Sequence, residues 1–313
     1  MALDHFVPQV HLKNFYSPAL RRLRAIRKSA LKFFTPLAQD VCRIEEGSTN
    51  SYLLNDRAIE EFLRYIEPKY NYAIQRVASG PIDEEVISVI AGYAAYVSMC
   101  SPAAARIFST PLQEMVKSTA NILEERGHIP ESPSAFGGRT LKELLNSGAI
   151  QVRVDPKYPQ SIGISGILEQ TTLLGNCHWE ILVNEERASP FFTSDFPIGI
   201  ERRADDIINH ILPLGPSLAV RILPDRGLRR SELDASFSRF RYRRRKLASQ
   251  EIKHLNRLIV QCAETLVFFR DDLSWIRPFV TKNRHFQVQA TTHVAPQPHG
   301  ILHLSRLNII QKR

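Results

Sequence analysis

The chain runs His5-Phe6-Val7-Pro8-Gln9-Val10-His11-Leu12-Lys13-Asn14-Phe15 within its first fifteen residues. Chain ends ordinarily fray, yet Phe6, Val7, Val10, Leu12 and Phe15 require burial against something encoded later. His5, Gln9, His11 and Asn14 are carried towards the interior with them. Far downstream, Phe191-Phe192-Thr193-Ser194-Asp195-Phe196-Pro197 has the same mixed character. The two segments predict a polar site assembled from distant parts of the sequence.

The pattern His-aromatic-Val-Pro-Gln followed by Leu-Lys-Asn-Phe resembles the opening of the bacterial and fungal family called domain of unknown function 4238. The helix carrying Glu61, Leu63, Ile66 and Glu67 is similar to a family feature. So are Trp179 to Pro197, Leu212-Pro213-Leu214-Gly215-Pro216 and the late helix with Leu255-Asn256, and all occur in the family's order. The resemblance covers nearly the whole chain and implies shared architecture, with no inherited mechanism. One departure is the basic stretch Arg21 to Lys32, where the family runs into a strand-like segment.

Hydrophobic periodicity places helices first and strands later. Ile59, Phe62, Leu63 and Ile66 come after Asp56 as a candidate N-cap, and Pro68 is expected to bend or interrupt the helix beyond it. Asp83 to Phe108 reads as a buried helix, Pro111 to Glu125 as another, and Thr140 to Asn146 as a short one opened by a capping box. From Ile150 the texture becomes strand-like: Ile150–Val154, Trp179–Val183, Phe191–Thr193, Leu218–Leu223 and Thr265–Phe269, with a helix over Ser249–Ala263. The expected class is α+β, with a helical N-terminal half packed on a mixed or antiparallel sheet. Residues 1–149 hold the motif and helices, and residues 150–290 form the sheet. Residues 291–313, rich in His and Pro, read as a loose tail.

The 313-residue chain is 43% hydrophobic and 23% charged, which suits a globular core. No apolar run approaches the roughly 18 residues of a membrane span, and the N-terminus lacks a secretory pattern, so no membrane and a cytoplasmic location are expected. Cys42, Cys100, Cys177 and Cys262 are scattered and read as buried thiols. The net charge of +9 is concentrated. Arg21, Arg22, Arg24, Arg27, Lys28 and Lys32 carry +6 with no acid among them, and Arg226 to Lys246 carries +7, which leaves −4 on the remainder. Such blocks either bind a polyanion, with Phe237, Phe240 and Tyr242 stacking on unpaired bases, or form a solvated face.

Phosphate-binding glycine loops, a dinucleotide fingerprint, a Gly-x-Ser-x-Gly elbow and His-Glu-x-x-His are all absent; Gly163-Ile164-Ser165-Gly166 lacks the elbow spacing. No nucleotide or organic cofactor is indicated. Asp195 suits either a metal or imidazole partner or a turn cap. Glu61 and Glu67 fall on opposed helix faces, and Glu67 is the better placed. The resulting expectation is a nucleic-acid-directed phosphodiesterase. His5 is its general acid/base, Asp195 and Glu67 bind Mg²⁺ or orient water, and Gln9 and Asn14 contact substrate. Arg21, Arg22, Arg241, Arg243, Arg244 and Arg245 hold RNA or DNA. The alternatives are a non-catalytic polyanion or protein binding module, and an enzyme acting on a small phosphorylated ligand.

Overall fold

A computed structural model describes residues 3–130, 132–186, 188–225, 227–297 and 300–312; Arg226, which opens the second basic block, and Pro298 and His299 of the C-terminal segment lie outside them. The class is α+β. The helix Ala58–Ser79 buries Ile59, Leu63, Ile66, Tyr70, Ala73 and Val77 along one face, and Pro68 sits inside it without ending it. The next helix, Glu84–Cys100, is capped by Asp83, whose carboxylate accepts the Val86 N–H, and it is buried on nearly every side. The apolar stripe that reads as one helix through Phe108 is broken at Ser101. There the backbone is extended ahead of Pro102, and the Ser101 side chain caps a new helix, Pro102–Glu125. The two axes differ by 54°. Among the described residues no single helix is long and apolar enough to cross a membrane.

Helices Lys157–Ser165 and Ile167–Asn176, which periodicity does not reveal, complete the layer. Gly163 explains the close approach of the first: a Cβ there would lie 2.4 Å from the Met99 carbonyl oxygen. Residues 150–154, expected as a strand, form neither strand nor helix. The Thr140 capping box with Glu143 is formed.

A five-stranded sheet has the spatial order Arg241–Lys246, His178–Val183, Leu218–Leu223, Ile208–Gly215, Gly199–Arg202. Its first pair is parallel and the others antiparallel. The period of two divides its residues cleanly. Trp179, Ile181, Val220 and Ile222 join the helices in the main core. Leu182, Ile211 and Ala219 face the other way, under Ile252, Leu255 and Leu258 of helix Ser249–Cys262.

A second, antiparallel sheet has the order Lys32–Phe34, Arg24–Arg27, Leu266–Phe269, Thr193–Ser194. The basic stretch Arg21 to Lys32 is therefore itself strand-forming. Against this sheet Val7, Leu12 and Phe15 are fully buried with Leu23, Ala25 and Phe268, so the N-terminus is an integral part of the fold. The chain beyond Arg284, expected to be loose, instead forms strands Phe286–Gln297 and Gly300–Gln311, paired along their length. Val288 and Ala290 anchor this hairpin in the main core, an alternation that its His and Pro content hides.

Candidate functional site

The two distant polar segments meet, and His11 rather than His5 joins them. His11 opens no solvent path. Its Nε2 lies 2.7 Å from Thr193 Oγ1 and its Nδ1 2.9 Å from the Tyr70 hydroxyl, and its ring stacks on Tyr93 with centroids 5.0 Å apart. His11, Tyr70, Tyr93 and Thr193 all have zero exposure. Burial pushes the imidazole down to about 3, so it stays neutral, with one nitrogen donating and the other accepting. This junction ties the N-terminal helix Gln9–Lys13 to two long helices and to the strand Thr193–Ser194. Nothing from solvent reaches it.

Asp195 is 4% exposed, and its two oxygens accept four hydrogen bonds. These come from the N–H groups of Glu264 at 2.9 Å, Thr265 at 2.8 Å and Leu266 at 3.0 Å, and from the Thr265 hydroxyl at 2.6 Å. The carboxylate clamps the turn between helix Ser249–Cys262 and strand Leu266–Phe269, which is turn chemistry across a long sequence separation. Burial pushes its carboxyl up while these donors pull it back.

His5 and Glu67 lie elsewhere. They line one cavity of about 410 Å³ with Asp4, and Asp195 takes no part in it. Glu61 is exposed and also takes no part. Burial lowers the His5 imidazole against backbone groups of Gln39 and Ala38, and burial raises Glu67. Asp195 and Glu67 therefore share no metal site. No group of three or more His, Cys, Asp or Glu side chains suited to a metal occurs among the described residues. The Mg²⁺ expectation does not fit these donors. Gln9 begins the N-terminal helix with a half-buried side chain. Asn14 donates to the Val10 carbonyl at 3.2 Å and to Asn71 Oδ1 at 3.1 Å, which makes it part of the same fastening.

The basic blocks differ in what holds them. Strand Arg241–Lys246 lies beside Glu180, which is 2% exposed and accepts from Arg243, Arg221 and Arg245. Burial would raise that carboxyl, but Arg243 and Arg221 hold it below its ordinary range. Arg245 also donates to Glu251 at 2.7 Å. Arg244 donates to the Val77 and Gly80 carbonyls at 3.0 and 2.9 Å, capping the end of helix Ala58–Ser79. Phe237 and Phe240 pack into the core. Only Arg241 of the four predicted arginines is exposed without a side-chain partner among the described residues. It lines a cleft of about 710 Å³ with Arg239, but Asp225 and Glu232 line it too.

The first block keeps its charge at the surface. Arg21, Arg22, Arg27 and Lys32 are exposed, and none has a side-chain partner among the described residues. Lys28 is the exception: its ammonium donates to the Ala263 and Phe286 carbonyls at 2.5 and 2.9 Å, and burial lowers it to about 8. Next to this block, Arg24, Phe33, Phe34 and Arg277 line a cleft of about 610 Å³. The Arg277 guanidinium sits 4.5 Å from the Phe33 ring centroid. Arg24 pairs with Asp272 at 2.9 Å, while its Nε is buried without a partner.

Sequence reasoning missed Glu180 and Arg277. Glu180 carried a readable signal, since a lone acid in the apolar strand Trp179–Leu182 needs a cation. Arg277 carried none.

A family model described as a protein of unknown function (DUF4238) matches residues 4–272. No curated protein and no solved structure is matched.

Proposed function

The chain belongs to DUF4238, and on that footing we propose that it is a binding module for single-stranded nucleic acid that uses its first basic block. The observation that carries this reading is the cleft where Arg277 stacks on Phe33, beside the hairpin of strands Arg24–Arg27 and Lys32–Phe34 that carries the exposed Arg27 and Lys32. Bases stack on aromatic rings and on guanidinium planes whatever their sequence, and phosphates seek concentrated positive charge. A phosphodiesterase built on His5, Asp195 and Glu67 has less support, because Asp195 is saturated by the turn it clamps.

The test is fluorescence anisotropy with a labelled single-stranded oligonucleotide, titrated with salt. Replacing Arg21, Arg22, Arg27 and Lys32 together by Gln should weaken binding at least tenfold. It should also flatten the log–log salt slope by about 0.7 for each phosphate that the variant no longer neutralises. Absence of binding by the parent at low salt, or a variant with the parent's slope, would overturn the reading. Competition by a mononucleotide as strong as by the oligomer would point instead to a small phosphorylated ligand.

A further inference from the structure

A cavity of about 440 Å³ opens beside the bend at Ser101, where helix Glu84–Cys100 gives way to helix Pro102–Glu125. Its volume falls in the roughly 300–1,000 Å³ range of small-molecule sites. Pro102, Ala105, Ser109, Thr110 and Gln113 recur at intervals of three and four, so one face of the second helix forms a wall about 16 Å long. Ile44, Val154 and Pro156 add apolar lining. Among the described residues no Asp or Glu lines the cavity, and its two charged groups, Arg106 and Lys157, are both cations. They differ in what balances them. Arg106 is paired with Glu264. The Lys157 ammonium donates to the Glu46 and Thr49 carbonyls, each at 2.6 Å, and has no ion pair among the described residues.

Lys157 is half-buried, and an ammonium held only by neutral carbonyls keeps its charge uncompensated and one N–H still to donate. Burial works against that charge, while Glu46, Asp4 and Asp155 support it from outside the lining. We propose that this cavity binds a small carboxylate on an apolar stem, of the medium-chain fatty-acid class, with its carboxylate on Lys157 and its stem along the helix face. Charge complementarity selects the sign of the ligand: an anion meets two cations and no acid, and a cationic ligand of the same shape meets only repulsion. Ile44, Pro102, Ala105, Val154 and Pro156 select the stem, since each methylene placed against them leaves water. On the same helix face, Thr110 and Gln113 are half-buried without a side-chain hydrogen bond among the described residues. Their free polar groups leave room for one polar substituent on the stem.

The experiment is an NMR titration of the full chain with octanoate, following the Ala105, Gln113 and Lys157 amides. Saturable shifts at all three are expected. Octylammonium, with the same stem and the opposite charge, should bind at least tenfold more weakly, and so should butyrate, which keeps the charge and shortens the stem. Lys157→Gln should weaken octanoate binding at least tenfold. Because Lys157 also ties the Glu46 and Thr49 carbonyls, a second variant guards against a fold lost with it: Ala105→Leu fills the cavity with the ammonium in place and should weaken binding by at least as much. Shifts that never saturate, octylammonium binding as tightly as octanoate, or either variant binding like the parent would each overturn the proposal. The cavity shares no residue with the nucleic-acid cleft, so failure of either leaves the other standing.

Discussion

The two basic blocks carry almost the same excess charge in the sequence, +6 and +7, and the fold uses them in opposite ways. The block that closes at Lys246 ends in the edge strand Arg241–Lys246, parallel to His178–Val183, so Arg243 falls opposite Glu180 in register. Three of its arginines are consumed by one buried carboxylate, a helix end and Glu251. The block from Arg21 to Lys32 forms a short hairpin on a sheet whose neighbouring strand, Leu266–Phe269, is wholly apolar and fully buried. Apart from Lys28 and Arg24, its cations have no side-chain partner among the described residues. Charge density alone does not make a binding surface. What decides is whether the neighbouring strand brings an acid.

The comparison can be broken most forcefully at Glu180. Glu180→Ala leaves Arg221, Arg243 and Arg245 facing one another without the carboxylate that compensates them, and removing one partner of a buried ionic cluster costs about 3–5 kcal/mol. Chemical denaturation should show a loss of that order. A loss below about 1 kcal/mol would mean that solvent already screens these arginines, and that the second block is as free as the first.

Asp195→Asn comes next. The side chain accepts four hydrogen bonds and donates none, so an amide must turn its NH₂ towards at least one N–H or O–H donor. Leaving buried donors unpaired costs about 1–3 kcal/mol, which thermal or chemical unfolding would register. A variant as stable as the parent would remove Asp195 from the clamp and reopen its candidacy for chemistry.

These two sites show how much the sequence disclosed. Helix faces, the Thr140 capping box and strand Leu218–Leu223 stem from periodicity and local chemistry, and they are where the residues predict. The meeting of the N-terminal motif with Thr-Ser-Asp was also legible as a meeting of segments. Its chemistry was not, because which histidine faces Thr193 depends on the turn of a five-residue helix. Ser101 hid in a continuous apolar stripe, since a helix break there costs no hydrophobic burial. The C-terminal hairpin hid because histidine and proline mask an alternating pattern whose buried members are as small as Ala290. Pairing across distant strands is invisible to any local window, and both basic blocks turn on it.

Acidification tests the interior junction. His11 is lowered to about 3 and His210 to about 4 by burial, against about 6.5 in an unfolded chain. Below pH 6.5 the unfolded state therefore binds more protons, and this part of the stability, fully present above 6.5, is lost as pH falls. The slope is about 1.4 kcal/mol per pH unit for each proton taken up only on unfolding. Asp195 and Glu67, both raised, act in the opposite direction. NMR separates the contributions: the His11 and His210 ring signals should not titrate between pH 5 and 8. A titration midpoint near 6.5 for His11 would show that the junction opens to water.

The smallest effect is expected at Arg241, and it sharpens the comparison most cleanly. Arg241 is the first residue of its strand, opposite His178, and is exposed. Among the described residues it is the one predicted arginine of the second block that the fold leaves free, so counting cations would make Arg241→Gln as damaging to nucleic-acid binding as a change in the first block. Its cleft, however, balances Arg239 and Arg241 with Asp225 and Glu232, and a phosphate entering it would meet as much repulsion as attraction. Stability should stay within about 0.5 kcal/mol of the parent, as for an ordinary surface substitution. Oligonucleotide affinity and its salt slope should also be unchanged. A slope reduced by about 0.7 would mean that Arg241 neutralises one phosphate and would place the second block on the binding surface, and the division between the two blocks would then fail.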